Sequence, residues 1–202
     1  RKSASAWARR RSLVASALVV MLQMLVTNTS AAPGPEAQGR TSVAPAPGPK
    51  TASAKPKSSY PRKLRIIGGR WRGRRLDVFE SEGLRPTPDR VRETLFNWLQ
   101  PYIAGASCLD LFAGTGALCL EALSRGAADV VMVEKAPPVA QRLHQHVERL
   151  EAAGAEVVLA DAEEFLQRTP RAFDIVFLDP PFKSNLITDC AALVEARGWI
   201  KP

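Results

Sequence analysis

After Gly105 the chain alternates short, almost continuously apolar runs with longer segments of helical period, and few folds accept that pattern. The runs SCLDLF, DVVMVE, EVVLAD and FDIVFLD are followed in turn by GALCLEALSRG, PPVAQRLHQHVERLEAAG, AEEFLQR and LITDCAALVEAR. A strand with one wet face alternates apolar and polar residues, whereas a strand apolar throughout has both faces covered. Helices between such strands carry the chain back to start the next strand in parallel. The expected class is α/β, a parallel sheet between two helical layers. In open sheets of this kind ligands bind outside the carboxyl ends of the strands, so chemistry is sought there.

Ahead of the sheet, LRIIGG and RRLDVF, separated by RWRG, read as a short basic hairpin. Thr87-Pro88-Asp89 then opens a helix, with Thr87 as N-cap and Pro88 in the first helical position. Val91, Leu95, Trp98 and Leu99 give that helix one apolar stripe. Charge is unevenly spread along the chain. Residues 1–75 hold 16 Lys and Arg against one acid, Glu36, whereas residues 76–202 hold 12 against 19 Asp and Glu. A basic arm on a mildly acidic globule points to a polyanionic partner reached through the N-terminal part. The candidates for that contact are Arg65, Arg70, Arg72, Arg74 and Arg75, with Trp71 interleaved to stack on a base, and Arg85 and Arg90 beyond them. A solvated basic strand face is the plainer alternative, less favoured because no acid interrupts the block before Asp77.

RKSASAWARRR followed by LVASALVVMLQMLV has the charged-then-apolar form of a secretory signal, with small residues from Ser30 to Ala32 as a cleavage region. The lack of acids before Glu36 equally suits an organellar transit peptide. The apolar run is shorter than the roughly 20 residues of a membrane span. Residues 31–63 hold seven of the 16 prolines and read as a linker. Cys108, Cys119 and Cys190, with no C-x-x-C or Cys/His cluster, suit reduced thiols in a cytoplasmic protein and argue against secretion. His144 and His146 are the only histidines, on different sides of one helix, and give no metal site. The expected organisation is a signal-like or disordered segment and linker over 1–63, a basic hairpin and helix over 64–104, and the sheet domain over 105–202, without membrane association of the last.

Three strand ends suit a nucleoside. In Asp110-Leu-Phe112-Ala113-Gly114-Thr-Gly116 the glycines let the backbone pass close to a ligand at the first strand-to-helix turn, where helix N–H groups point outward. Such turns are common, and alone the signal is weak. Glu134 ends the next strand 20 residues after Gly114, the spacing of a ribose-hydroxyl acceptor, with a surface glutamate as the alternative. Asp161 either accepts from an adenine amine or caps the following helix. The fourth end, Asp179-Pro180-Pro181-Phe182, offers acceptors and an aromatic face.

Together these motifs resemble the class I S-adenosylmethionine-dependent methyltransferases that modify exocyclic amines, whose hallmark is Asp or Asn, two prolines and an aromatic residue. From Leu64 to Pro202 the chain is similar to the RsmD-type 16S ribosomal RNA guanine-N2 methyltransferases, through RIIGGRWRGRRL, LRPTPDRVRETLFNWL, CLDLFAGTGALCLEALSRGA, VMVEK and DIVFLDPPF. The resemblance implies a Rossmann-like class I methyltransferase sheet with a small N-terminal hairpin–helix extension. It implies S-adenosyl-L-methionine bound by Asp110, Phe112, Ala113, Gly114, Gly116, Glu134 and Asp161, and catalysis by Asp179, Pro180 and Phe182. The implied partner is 16S ribosomal RNA or the assembling small subunit, with no metal and a monomer when full length.

The fourth strand end then has a chemical reason. An aromatic amine is a poor nucleophile because its lone pair is delocalised into the ring. Acceptors on both N–H bonds, the Asp179 carboxylate and the Pro180 carbonyl, orient the nitrogen and favour a pyramidal transition state. The prolines fix φ and offer no competing N–H, and Phe182 stacks on the extruded base.

The tetrapeptide reads an amine and not a whole base, so adenine N6 in RNA or DNA is the alternative substrate. A nicotinamide-dependent dehydrogenase shares the glycine loop and Glu134 but has no use for Asp179-Pro-Pro-Phe182. A non-catalytic RNA-binding module is the alternative of another class. Three departures from the family pattern stand out. Cys119 replaces an expected glycine or other small residue, and Ala136-Pro137-Pro138 is an unusual helix entry. The family also continues with further strands after Trp199-Ile-Lys-Pro202, so a fragment at both ends is expected, with Phe173–Leu178 as an open sheet edge.

Overall fold

The computed structural model describes residues 63–78, 87–181 and 186–202. Arg85, Phe182 and the whole of the signal-like segment lie outside the described residues. The fold begins with an antiparallel pair, β1 (Lys63–Arg65) and β2 (Arg75–Asp77), joined through a 3-10 turn at Gly69–Trp71. Then follow α1 (Asp89–Ile103), β3 (Ser107–Asp110), α2 (Ala117–Ser124), β4 (Asp129–Glu134), α3 (Pro137–Arg149), β5 (Ala155–Leu159), α4 (Ala162–Leu166), β6 (Ile175–Phe177) and α5 (Leu186–Ala196). The last four strands form one parallel sheet in the order β5-β4-β3-β6. The chain steps outward from β3 to β5 and returns to the opposite side of β3. The winding therefore reverses between β3 and β6, the place where open α/β sheets form a crevice.

Pleating sends alternate residues of each strand to opposite faces, and the core divides accordingly. On one face Cys108, Val130, Met132, Ile175 and Phe177 pack with Leu64, Ile66, Trp71 and Leu76 of the hairpin region, with Leu95, Phe96 and Leu99 of α1, and with α2. On the other, Leu109, Val131, Val133 and Val176 meet Phe165 and Leu166 of α4, Cys190 and Val194 of α5, and Trp199.

Every residue of α2 is buried, since the sheet lies on one side and the hairpin region on the other. An almost wholly apolar helix suits that position. Its one acid, Glu121, is fully buried, and its charge is met on both oxygens. Oε2 accepts from the Ile67 N–H and Oε1 from the Gly68 N–H, each at 2.8 Å, while Arg125 Nε donates to Oε1 at 2.7 Å. Ser124 Oγ accepts from the Trp71 N–H at 3.0 Å. Gly69 permits this close approach: its φ is +74°, and a Cβ there would fall 1.8 Å from the Ser124 carbonyl oxygen.

Three expectations are corrected. Thr87 does not cap α1; Pro88 holds the cap position and receives no side-chain bond. The buried positions of α1 are Arg92, Leu95, Phe96, Leu99 and Ile103, because this helix packs on the hairpin and the sheet at once. Trp98 is left 41% exposed. The sheet edge at Phe173 is not open at its start, since Phe173 pairs in parallel with Ile200. There the Phe173 N–H donates to the Trp199 carbonyl and the Lys201 N–H to the Phe173 carbonyl, each at 2.9 Å. The two local departures leave the elements intact. Cys119 sits fully buried within α2. Pro137 and Pro138 occupy the first turn of α3, where their missing N–H groups have no intrahelical partner to lose.

Candidate active site

Parallel strands share one carboxyl end, so the four acids named from the sequence open on one rim. Asp110 ends β3 and Glu134 ends β4, while Asp161 and Asp179 follow β5 and β6 closely. Asp110 is buried, and its Oδ1 accepts from the Phe112 N–H at 3.1 Å. Burial pushes its carboxyl up to about 7; the Phe112 N–H opposes that rise, and the charges of Asp179 and Glu134 add to it.

Beyond Asp110 the chain turns through Phe112 and Ala113 into the two glycines. The Ala113 N–H donates to the Val133 carbonyl at 3.0 Å, and the Gly116 N–H to the Ala113 carbonyl at 2.7 Å. Gly116 takes φ +75°, and a Cβ there would lie 2.7 Å from the Leu143 side chain. Glu134 binds the turn from the neighbouring strand. Its Oε2 accepts from the Gly114 N–H at 3.0 Å and its Oε1 from the Ala136 N–H at 2.8 Å. One carboxylate thus ties the glycine loop to the start of α3. Asp161 caps α4, its Oδ1 accepting from the Glu163 N–H at 3.0 Å; of the two uses open for it, this is the bond present.

Asp179 is partly buried, and Pro180 beside it is buried. Its Oδ2 accepts from the Thr87 hydroxyl at 3.2 Å. Burial raises the Asp179 carboxyl above its ordinary range, and the Thr87 bond lowers it in part. Sequence reasoning missed this partner because Thr87 lies 92 residues away, and nothing local to either residue announces the contact. The Thr87 carbonyl in turn accepts from Arg92 Nε at 3.2 Å.

Arg65, Arg70, Arg72, Arg74, Arg75 and Arg90 are exposed. Among the described residues none of these six pairs with an acid. Trp71 is different, and its expected role is corrected. It is 6% exposed, lies in the core, and carries the Arg70 guanidinium 4.0 Å from its ring centroid. The 3-10 turn presses it inward, which leaves no ring face for a base. Among the described residues no group of three His, Cys, Asp or Glu side chains is placed to hold a metal ion. No helix there is long and apolar enough to cross a membrane.

A parallel sheet of this order, with a glycine turn after its first strand and acids on its carboxyl rim, is the arrangement of class I methyltransferases. Precorrin-6y C5,15-methyltransferase from Geobacter metallireducens shares the fold, with a TM-score of 0.51 at 20% identity over 61% of this chain and 63% of that one. The profile of the family described as conserved hypothetical protein 95 matches residues 64–202. Ribosomal RNA small subunit methyltransferase D of Escherichia coli is 51% identical over 146 residues, 72% of this chain and 74% of that protein. Its namesake in Haemophilus influenzae is 49% identical over 144 residues, 69% and 75% of the two chains. The solved structure of Escherichia coli yhhF superposes with a TM-score of 0.65 at 51% identity, over 69% of this chain and 76% of that one. The chain belongs to this family, that of the RsmD-type S-adenosylmethionine-dependent methyltransferases.

Proposed function

We propose that the protein methylates the exocyclic N2 amine of one guanine in small-subunit ribosomal RNA. The observation that carries this reading is Asp179: a partly buried carboxylate beside the winding reversal, held on Oδ2 by Thr87, with no hydrogen bond on Oδ1 among the described residues. The substrate class follows the relatives, which are named for the small ribosomal subunit.

The rim fits S-adenosylmethionine chemically. The charges of Asp179 and Glu134 reach Asp110, and a negative field of this kind suits a sulfonium cation. Asp110, Phe112, Ala113, Gly114 and Gly116 would line the cofactor. Glu134 would accept from the ribose hydroxyls, and Asp161 from the adenine amine. When bound, the cofactor supplies an electrophilic methyl group. Asp179 and the Pro180 carbonyl would each accept one N–H of the target amine, turning its lone pair out of conjugation. Phe182 would stack on the base. The amine proton leaves to water after transfer, so Asp179 orients and need not be a strong base. Residues 64–104 would contact RNA through Arg65, Arg70, Arg72, Arg74, Arg75, Arg85 and Arg90, and residues 105–202 would carry the chemistry.

Mass mapping of small-subunit ribosomal RNA from cells with and without the gene tests the proposal. One N2-methylguanine is expected to disappear with the gene. Loss of an N6-methyladenine would select the alternative amine, and an unchanged map would remove this RNA as substrate.

A further inference from the structure

We infer that Thr87 is a positioning residue for Asp179: its hydroxyl holds one carboxylate oxygen and leaves the other directed at the target amine. The inference rests on Asp179 being the amine acceptor. A carboxylate can turn about its terminal bond, and a single donor on one oxygen fixes that rotation. Thr87 Oγ1 is such a donor, 3.2 Å from Oδ2.

Thr87 is itself held on three counts. Its β-branched side chain is stiff at χ1, and the proline after it restricts its backbone to extended conformations. Its carbonyl is gripped by Arg92 Nε at 3.2 Å. Arg92 is only 1% exposed. Its NH2 donates to the Arg65 carbonyl of β1 at 2.8 Å and to Asp89 Oδ1 at 2.6 Å, and its NH1 stands 3.8 Å from Glu121 Oε2. One buried guanidinium therefore fixes both the basic hairpin and the residue that orients the catalytic carboxylate. The titratable groups across the rim are Asp110 on β3 and Glu134 on β4. Their own hydrogen bonds go to backbone N–H groups and not to Asp179. The orienting bond on Asp179 is thus Thr87's.

The test compares Thr87→Val and Thr87→Ser with the unmodified protein, using Asp179→Ala as reference. Valine keeps the volume and branching and removes only the donor. In Thr87→Val, kcat is expected to fall about tenfold, while the RNA KM and the cofactor Kd stay within about twofold. The acid limb of kcat is expected to move to higher pH, because a bond favouring the carboxylate has been removed. Thr87→Ser restores both. A Thr87→Val protein with the original kcat and acid limb overturns the inference, as does a loss that serine fails to restore. Turnover by Asp179→Ala overturns the amine-acceptor reading beneath it, whichever way the Thr87 variants behave.

Discussion

Asp110 stands enclosed at the end of β3, and enclosure favours its neutral form. Its carboxyl is raised from 3.8 to about 7, so the folded protein keeps a proton that the unfolded chain releases. Stability contributed by this group is full below the unfolded pKa and is lost as pH rises toward the folded one, roughly from pH 4 to 7. Asp110→Asn retains an oxygen for the Phe112 N–H and cannot titrate. Urea midpoints measured across that window are expected to decline with pH in the unmodified protein more steeply than in Asp110→Asn; equal slopes would exclude Asp110 as the source. Glu134 accepts two backbone N–H groups, one from the glycine loop and one from the start of α3. Isothermal titration of Glu134→Ala with S-adenosylmethionine is expected to show binding weakened by about 1–3 kcal/mol, whereas undiminished affinity would place the ribose elsewhere.

Among the elements, β3, β4 and β6 were legible because burial on both faces writes itself as a continuous apolar run; β5 reads the same way but is the outer strand and only partly buried, with Leu159 exposed. Each strand end carried its acid in plain view. What the sequence concealed depends on neighbours far along the chain. Trp71 among arginines resembles a base-stacking residue until α2 closes over it. Thr87 before Pro88 resembles a cap until Asp179 takes its hydroxyl. Glu121 did leave a trace: one acid inside the otherwise apolar ALCLEALS implies buried partners. Those partners are the hairpin's turn, Arg125 and, less closely, Arg92. Glu121→Ala removes the acid of a buried ionic cluster, leaving Arg125 and the Ile67 and Gly68 N–H groups without their acceptor while Arg92 keeps Asp89. Denaturant unfolding is expected to show a loss of about 3–5 kcal/mol. A loss under about 1 kcal/mol would mean that apolar contacts through Leu64, Ile66, Trp71 and Leu76 alone dock the hairpin.

At the scale of the whole molecule, the basic hairpin and the acidic rim are separate surfaces joined through Arg92, which bonds the Arg65 and Thr87 carbonyls. Arg65, Arg70, Arg72, Arg74 and Arg75 have no acid partners among the described residues, so they are available to phosphates. Neutralising Arg70, Arg72 and Arg74 together is expected to flatten the log–log salt dependence of RNA binding by about two to three units. An unchanged slope would move the RNA surface to another face, with Arg90 on α1 the next to test. In the proposed division of labour on the rim, β3, β4 and β5 would make the cofactor contacts and β6 would receive the amine. Asp179→Ala, assayed for methyl transfer to small-subunit ribosomal RNA and titrated with S-adenosylmethionine, tests that division most directly. The expected result is cofactor affinity within a few-fold of the original and no transfer; substantial transfer by Asp179→Ala would contradict it.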